Sequence, residues 1–426
     1  MGTSRSMNDP IKYDNRLEAI VLYALGFLLL PVAALAAAQI WVLAVVGVLL
    51  IIAVRAVRGR FSLNPNGLLV VLMVLLVGWA AVSGLWAIDP ERVARTTVRI
   101  ALVCISVIIL VDAASKLDQD QRRKFGYWLA GGTFAGLVLT GILIWSSVGL
   151  GIWLDGNLPT GYGLEDLNRT STVIALLVWP VALVVARTVN RPAAAALVVL
   201  GAAFLVALAP STPLIALSVS LVAFVIAWVS RTWGKRLLLL VFAGAVVMVP
   251  LLGVLAPPII DLLASNLQLP HSEIHRLVIW QFAAERVFEH PLLGWGLDAA
   301  RAIPGGQEQL FLFLFDGTPE TGQAMPLHPH NALIQIWLEL GIVGVILVGA
   351  IFSLIVASIP TPLGDRIGPA TLIATTTCAF TIAQLGFGIW QGWWMATLGL
   401  TVMVAVATGA EPSEAAARQG DAERNA

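Results

Sequence analysis

All five histidines of this chain fall between residues 271 and 330. Histidine is the side chain whose ordinary pKa lies near working pH, so it can take a proton from a hydroxyl and later release it. Two of them stand in His328–Pro329–His330–Asn331, where a polar stretch enters an apolar run. A helix starting there points free backbone N–H groups at the preceding loop, so a histidine in this place is held by a rigid element yet faces water. The plainer reading is a cap, with Asn331 accepting from the first turn and Pro329 stopping the loop. Arginine is the second element. Arg276 lies in the same stretch with Trp280 one turn on, and Arg169 stands just ahead of another apolar run. Arginine stays charged and grips phosphate oxygens with a planar fork, so two of them above a membrane surface could hold a lipid-linked diphosphate without a metal. The plainer reading is contact with lipid headgroups or with Glu165 and Asp166.

A metal centre is the competing chemistry. His271 and His275 are four apart with Glu273 between them, and His328 and His330 flank a proline. Pairs at i and i+4 can share a metal. However, the spacing is not HExxH, no acidic third ligand is clearly placed, and no cysteine is near, so no metal is assigned. The apolar run after His330 holds Gln335, Glu339, Gly341 and Gly344. Glu339 lies about 13 Å of helix beyond His330. A carboxylate inside a membrane is a functional candidate, its plainer role a structural hydrogen bond within the bundle. Gly341 and Gly344 are read as points of close helix packing.

The elements that must carry these residues are membrane helices. Of the 426 residues 58% are hydrophobic and 12% charged, where soluble domains carry about 25% charged residues. A net charge of zero gives no sign of nucleic acid as a partner. Twelve apolar runs are long enough to cross a bilayer: 17–37, 40–57, 67–86, 97–113, 126–148, 171–188, 193–209, 213–230, 236–256, 331–357, 368–386 and 390–408. Cys104 and Cys378 lie inside such runs, so they form no disulfide framework. The first run is too long for a cleavable signal. With residues 1–16 in the cytoplasm, only Arg92, Arg95, Arg99, Arg169, Arg276, Arg286 and Arg301 of the 25 basic residues fall on the far side, which favours both ends inside. Residues 17–256 then hold nine spans and 331–408 three more. Residues 257–330 form a long outer loop, and 409–426 a disordered cytoplasmic tail. Within the loop, Ile274, Leu277, Val278, Phe282 and Val287 recur at helical spacing, predicting an amphipathic helix over His271 to Glu289. Residues 311–315, Phe-Leu-Phe-Leu-Phe, are placed at the membrane interface. No internal repeat is evident, which counts against many secondary transporters, as does a polar cluster lying off the bilayer midplane.

His330–Asn331, nine residues, Gly341, two residues, Gly344 is similar to the HN-x9-GxxG pattern of the O-antigen ligases, whose superfamily includes O-antigen polymerases and protein O-oligosaccharyltransferases. Asn168–Arg169, Arg276 near Trp280, His290–Pro291–Leu292–Leu293–Gly294 and Trp86–Ala87–Ile88–Asp89–Pro90 resemble the same family. The resemblance covers roughly residues 17–408. It implies an all-α, polytopic membrane glycosyltransferase of the GT-C type in the bacterial inner membrane. Such an enzyme moves a glycan from undecaprenyl diphosphate to an acceptor hydroxyl on the periplasmic side, without cofactor or metal. It implies lipid A–core as acceptor, Arg169 and Arg276 as diphosphate-binding residues, and His330 as the base. His328, Asn331, Trp280 and Glu339 would support them. The doubled histidine of HPHN leaves two candidates for the base, and the spacing to Gly341 selects His330. A polymerase or protein O-oligosaccharyltransferase is the alternative within the superfamily, and a secondary transporter the alternative outside it.

Overall fold

In lipid the backbone N–H and C=O groups find no water, so an apolar run closes its hydrogen bonds within itself as a helix. The computed structural model describes residues 15–59, 61–155, 164–208, 211–266, 271–315, 318–361 and 364–409. Each of the twelve apolar runs lies along a helix: α1 (Arg16–Ala36), α2 (Ile40–Val57), α3 (Gly67–Val82), α4 (Pro90–Ser115), α5 (Gln119–Asp155), α6 (Leu164–Thr188), α7 (Arg191–Leu208), α8 (Ser211–Val229), α9 (Arg231–Asn266), α11 (Ala332–Ser358), α12 (Ile367–Leu385) and α13 (Gly392–Thr408), with α10 (His271–Glu289) in the loop. Among the described residues, nine helical segments are long and apolar enough to cross a membrane, and the first, Arg16–Val57, takes in α1 and α2. α13 has 17 residues and α12 carries a run of threonines, so neither meets that measure and the expected count of twelve does not follow from length and hydropathy. The α12 hydroxyls turn back on the helix: Thr375 donates to the Thr371 carbonyl and Thr377 to that of Ile373, each at 2.8 Å.

One end of the bundle is tied by buried charge. Arg55 pairs with Glu18 at 2.7 Å and Asp112 at 2.8 Å, and Asp112 also takes Lys116 at 2.7 Å. Two cations against two anions leave no net charge, and each acid meets a donor, which is what makes such burial tolerable. At the same end Arg122 donates to the Val406 carbonyl (2.6 Å) and Arg187 to that of Thr408 (2.8 Å). The putting of α1, α2, α4, α5, α6 and α13 into register there fixes how their opposite ends meet.

The opposite end carries the long loop. α10 is the amphipathic helix its spacing requires, with Ile274, Val278, Phe282 and Val287 buried and Leu277 partly so. Its Ile279 and Ala283 pack with Phe242 and Val249 of α9 and with Leu333 and Leu338 of α11. α9 itself runs to Asn266 through Pro250, Pro257 and Pro258, past the end at 256 expected from sequence. Packing along α10 carries it through those prolines. Among the described residues the fold is helical but for one hairpin in the loop, where β1 (Gln309–Phe315) pairs antiparallel with β2 (Thr318–Gln323). The Phe-Leu alternation expected at the interface is therefore the period of a strand: Leu312 is buried against Ile274 and Val278, and Phe311 is exposed. Of the tail expected at 409–426, residues 410–426 lie outside those described, as do the N-terminal residues 1–14.

Candidate functional site

α11 is broken nine residues after it begins. Gly341 has φ 63° and ψ −165°, a conformation essentially reserved for glycine. The break frees carbonyls that an intact helix would use. Trp295 N–H donates to the Leu338 carbonyl and Gly296 N–H to that of Glu339, while the Trp79 indole takes that of Leu340, all at 2.9 Å. Ile342 N–H in turn donates to the Pro291 carbonyl at 3.0 Å. A Cβ on Gly341 would overlap the Leu292 carbonyl, and one on Gly294 would overlap the Glu339 carbonyl. Gly341 is thus not a point of helix-on-helix packing, as its spacing with Gly344 suggested, but the seat of the His290–Gly294 strap. The Trp86 indole donates to the Gly294 carbonyl at 3.1 Å, and Asp89 caps α4 by accepting from Arg92 N–H at 3.0 Å. Three separated sequence motifs are therefore one joint.

Glu339, two residues before the break, is completely buried. Its carboxylate accepts from Asp298 N–H (2.6 Å), Ala300 N–H (3.4 Å), the Gln335 amide (3.0 Å) and the Trp390 indole (2.5 Å). Gln335 passes the tie on by accepting from Ile389 N–H at 3.0 Å. The plainer reading of Glu339, a structural hydrogen bond in the bundle, describes these contacts. It holds the 298–301 turn and the 389–391 turn at a fixed distance from α11.

The histidines sit at the free end of the first half-helix. Asn331 is its N-cap, accepting from Ile334 N–H at 3.0 Å, as the capping reading required. The Trp280 indole of α10 donates to the Pro329 carbonyl at 2.8 Å and so steadies the turn. His330 adopts a positive φ of 54°, uncommon for a residue with a Cβ. Its Nδ1 lies 2.8 Å from the Gly386 carbonyl. A carbonyl only accepts, so Nδ1 carries the proton and Nε2 of the neutral ring holds a lone pair. Burial pushes the His330 pKa below its ordinary value, with the charge of Arg276 acting in the same direction. His328 has a protein group at each ring nitrogen, though a neutral ring accepts at only one of them. Its Nδ1 accepts the His330 N–H (3.2 Å), and its Nε2 meets the Gln391 amide (3.1 Å). Burial first, then the nearness of His330 and Arg301, push its pKa down to about 3.

Two cavities open toward this point. The larger, about 720 Å³, runs between α2, α4 and α13, walled by residues such as Trp41, Leu102 and Leu400 and edged by Arg95, Arg99, Arg169 and Arg301. The smaller, about 70 Å³, is lined by His328, Gln335 and Asp298 among others. Arg99, Arg301 and Gln391 line both. Arg169 stands 5.8 Å over the Trp393 ring. Arg276 does not reach either cavity: it pairs with Glu273 at 3.1 Å on the histidine side of α10. The fold thus brings Arg169 to the groove and Arg276 to His330. His275 turns to the Gln323 carbonyl at 2.8 Å, while the side chains of its expected metal partner His271, and of Glu165 and Asp166, lie outside those described. Sequence reasoning counted Arg99 and Arg301 only as outer basic residues. For Arg99 a signal existed, an arginine within an apolar run. For Arg301 local spacing offered none, because the turn that presents it is set by Glu339 from far along the chain.

Comparison with known proteins finds the O-antigen ligase family matching residues 195–349. Three relatives bearing the name "putative polysaccharide ligase" come from Rickettsia conorii, Rickettsia felis and Rickettsia prowazekii. They are 25%, 24% and 23% identical, each alignment covering 78% of both chains. No solved structure matches the chain.

Proposed function

We propose that this chain, similar to the O-antigen ligase family over residues 195–349 and to the "putative polysaccharide ligase" relatives over 78% of its length, is a membrane polysaccharide ligase that moves O-antigen from undecaprenyl diphosphate to a hydroxyl of lipid A–core. The observation that carries this reading is the groove: apolar walls along α2, α4 and α13, an arginine edge, and a junction at Arg99, Arg301 and Gln391 with the small cavity that His328 lines. An isoprenoid tail fits the walls and a diphosphate fits the guanidinium forks. In the positive-inside arrangement this end of the bundle faces the periplasm and the enzyme lies in the inner membrane. A site at one end, rather than at the midplane, supports an enzyme over a transporter.

His330 Nε2 takes the proton of the acceptor hydroxyl as its oxygen attacks the anomeric carbon. The bond from that carbon to the diphosphate oxygen breaks, and the leaving charge is met by Arg169 from the groove and Arg276 from α10. A diphosphate leaves without a general acid, so one base and the arginines suffice, and a single displacement inverts the anomeric carbon. Asn331, Trp280, His328 and Glu339 hold the base and its surroundings. Reconstitution of the purified protein with the lipid-linked glycan and lipid A–core tests this. Glycosylated lipid A–core should form with a chelator present, and Arg169→Lys and Arg276→Lys should each lose most of it, because lysine keeps the charge without the fork. Lengthened lipid-linked glycan as sole product would make the protein a polymerase. Activity lost to chelator and restored by a divalent ion would revive the metal chemistry of His271 and His275.

A further inference from the structure

The small cavity is chemically unlike the groove it adjoins. Its wall is Asp298, Gln335, Gln391, His328 and the Trp390 indole, so hydrogen-bonding groups face one another across it. Such a polar wall suits a hydroxyl-bearing occupant, which can add hydrogen bonds to it, better than an isoprenoid, which can add none. Its size is also informative. At ~10–15 Å³ for each water position, a cavity of about 70 Å³ holds on the order of five waters, about the room of a single sugar ring. Its place is fixed by the residues it shares with the groove. Arg99 and Arg301 stand at the junction, with Arg99 donating to the Trp390 carbonyl at 3.0 Å and Arg301 lying 3.7 Å from Asp298. An anion seated between these guanidinium groups would have its lipid in the groove and its other substituent in the cavity.

We infer that this chamber is a recognition subsite for the first sugar ring of the donor, the ring whose anomeric carbon bears the diphosphate, and that Arg99 and Arg301 hold the diphosphate at its neck. The inference rests on the groove's holding a lipid diphosphate, as proposed above. The chamber is a built feature of the fold: Glu339 ties Asp298 on one wall to Trp390 on the other, and Gln335 ties in Ile389. Its floor, His328, neighbours the His330 ring at 4.2 Å between centroids. A ring in the chamber is therefore separated from the His330 ring by that of His328, with Asp298 and Gln391 on the wall to meet its other hydroxyls. The acceptor must then approach from outside the chamber, which gives the enzyme selectivity for the donor's first sugar independent of the acceptor.

The test uses the full chain in lipid nanodiscs and two kinds of probe: undecaprenyl diphosphate alone, and the same lipid carrying one sugar, drawn from a panel of hexoses and N-acetylhexosamines. The unsubstituted protein should bind at least one sugar-bearing lipid about ten-fold more tightly than the bare one, the scale of one or two net hydrogen bonds. Leu327→Trp, at an exposed position that lines the chamber and not the groove, should fill the space and abolish that ratio while leaving the bare lipid's affinity unchanged. Gln391→Met, which keeps the side chain's length without its amide, should reduce the same ratio. Equal affinity for every lipid in the unsubstituted protein would overturn the inference, as would a ratio that survives both substitutions. If no undecaprenyl diphosphate lipid binds at all, the proposed donor is itself wrong, a different result from a donor that binds without regard to its sugar.

Discussion

At the scale of single residues, the two histidines of HPHN are separated by what their ring nitrogens touch. The one acceptor nitrogen of His328, Nδ1, is taken by the His330 N–H, whereas the hydrogen bond from His330 Nδ1 to the Gly386 carbonyl leaves Nε2 available. A positioned base contributes on the order of 10²–10⁴-fold to a proton-transfer step. His330→Ala should lower kcat by that factor while undecaprenyl diphosphate still binds, and His328→Ala should do less. Near-wild-type transfer by His330→Ala, or a trapped glycosyl-enzyme, would end this mechanism. The pH dependence has a definite sign. As the proposed base, His330 works only when neutral, and burial holds its pKa below the ordinary value. Transfer should therefore stay level as pH falls through ~6.5, the usual histidine value, and decline only at lower pH. A kcat/KM profile whose acid limb begins above that value would contradict it.

At the scale of elements, the informative feature is a helix that stops and restarts. The break at Gly341 hands three carbonyls to Trp295, Gly296 and Trp79, and the strap they hold leads directly into the turn bearing Asp298 and Arg301. Gly341→Ala meets both a backbone conformation closed to alanine, costing about 1–3 kcal/mol, and overlap with the Leu292 carbonyl. It should lower the melting temperature of the detergent-solubilised protein and reduce transfer further than the loss of folded protein explains. An alanine variant with unchanged melting and activity would show that the strap does not position the site.

Over the whole molecule, the chain alternates between two ends of unlike chemistry. One end holds the neutral buried cluster of Arg55, Glu18, Asp112 and Lys116. The other holds the arginine-edged groove, the chamber and the histidines. The proposed orientation puts the first in the cytoplasm. Reporter fusions at Arg123 and at Gln309 should give opposite signals, and the same signal at both would reject that map. Since α1, α2, α4, α5, α6 and α13 are clamped at the first end, disruption there should also be felt in the groove that α2, α4 and α13 form.

The helices were legible in the sequence because apolar length and period are local properties, which is why α10 appears over His271–Glu289 as its spacing requires. The family resemblance was legible too, since His330, Asn331, Gly341 and Gly344 keep a fixed spacing along one element. What the spacing meant was not. A glycine pair reads as helix packing until a strap from fifty residues upstream is seen seated on it. Glu339 reads as a lone carboxylate until Asp298, Ala300, Gln335 and Trp390 converge on it. The hairpin at 309–323 was missed because Phe-Leu alternation looks equally apolar in a strand and at an interface. Arg99 and Arg301 acquire a role only when α4, the 298–301 turn and α13 close around common cavities. Local hydrogen bonding and hydropathy depend on neighbours in the chain, so sequence determined the helices. A cavity, a tautomer and a buried carboxylate's partners depend on neighbours in space, and only the tertiary structure decided those.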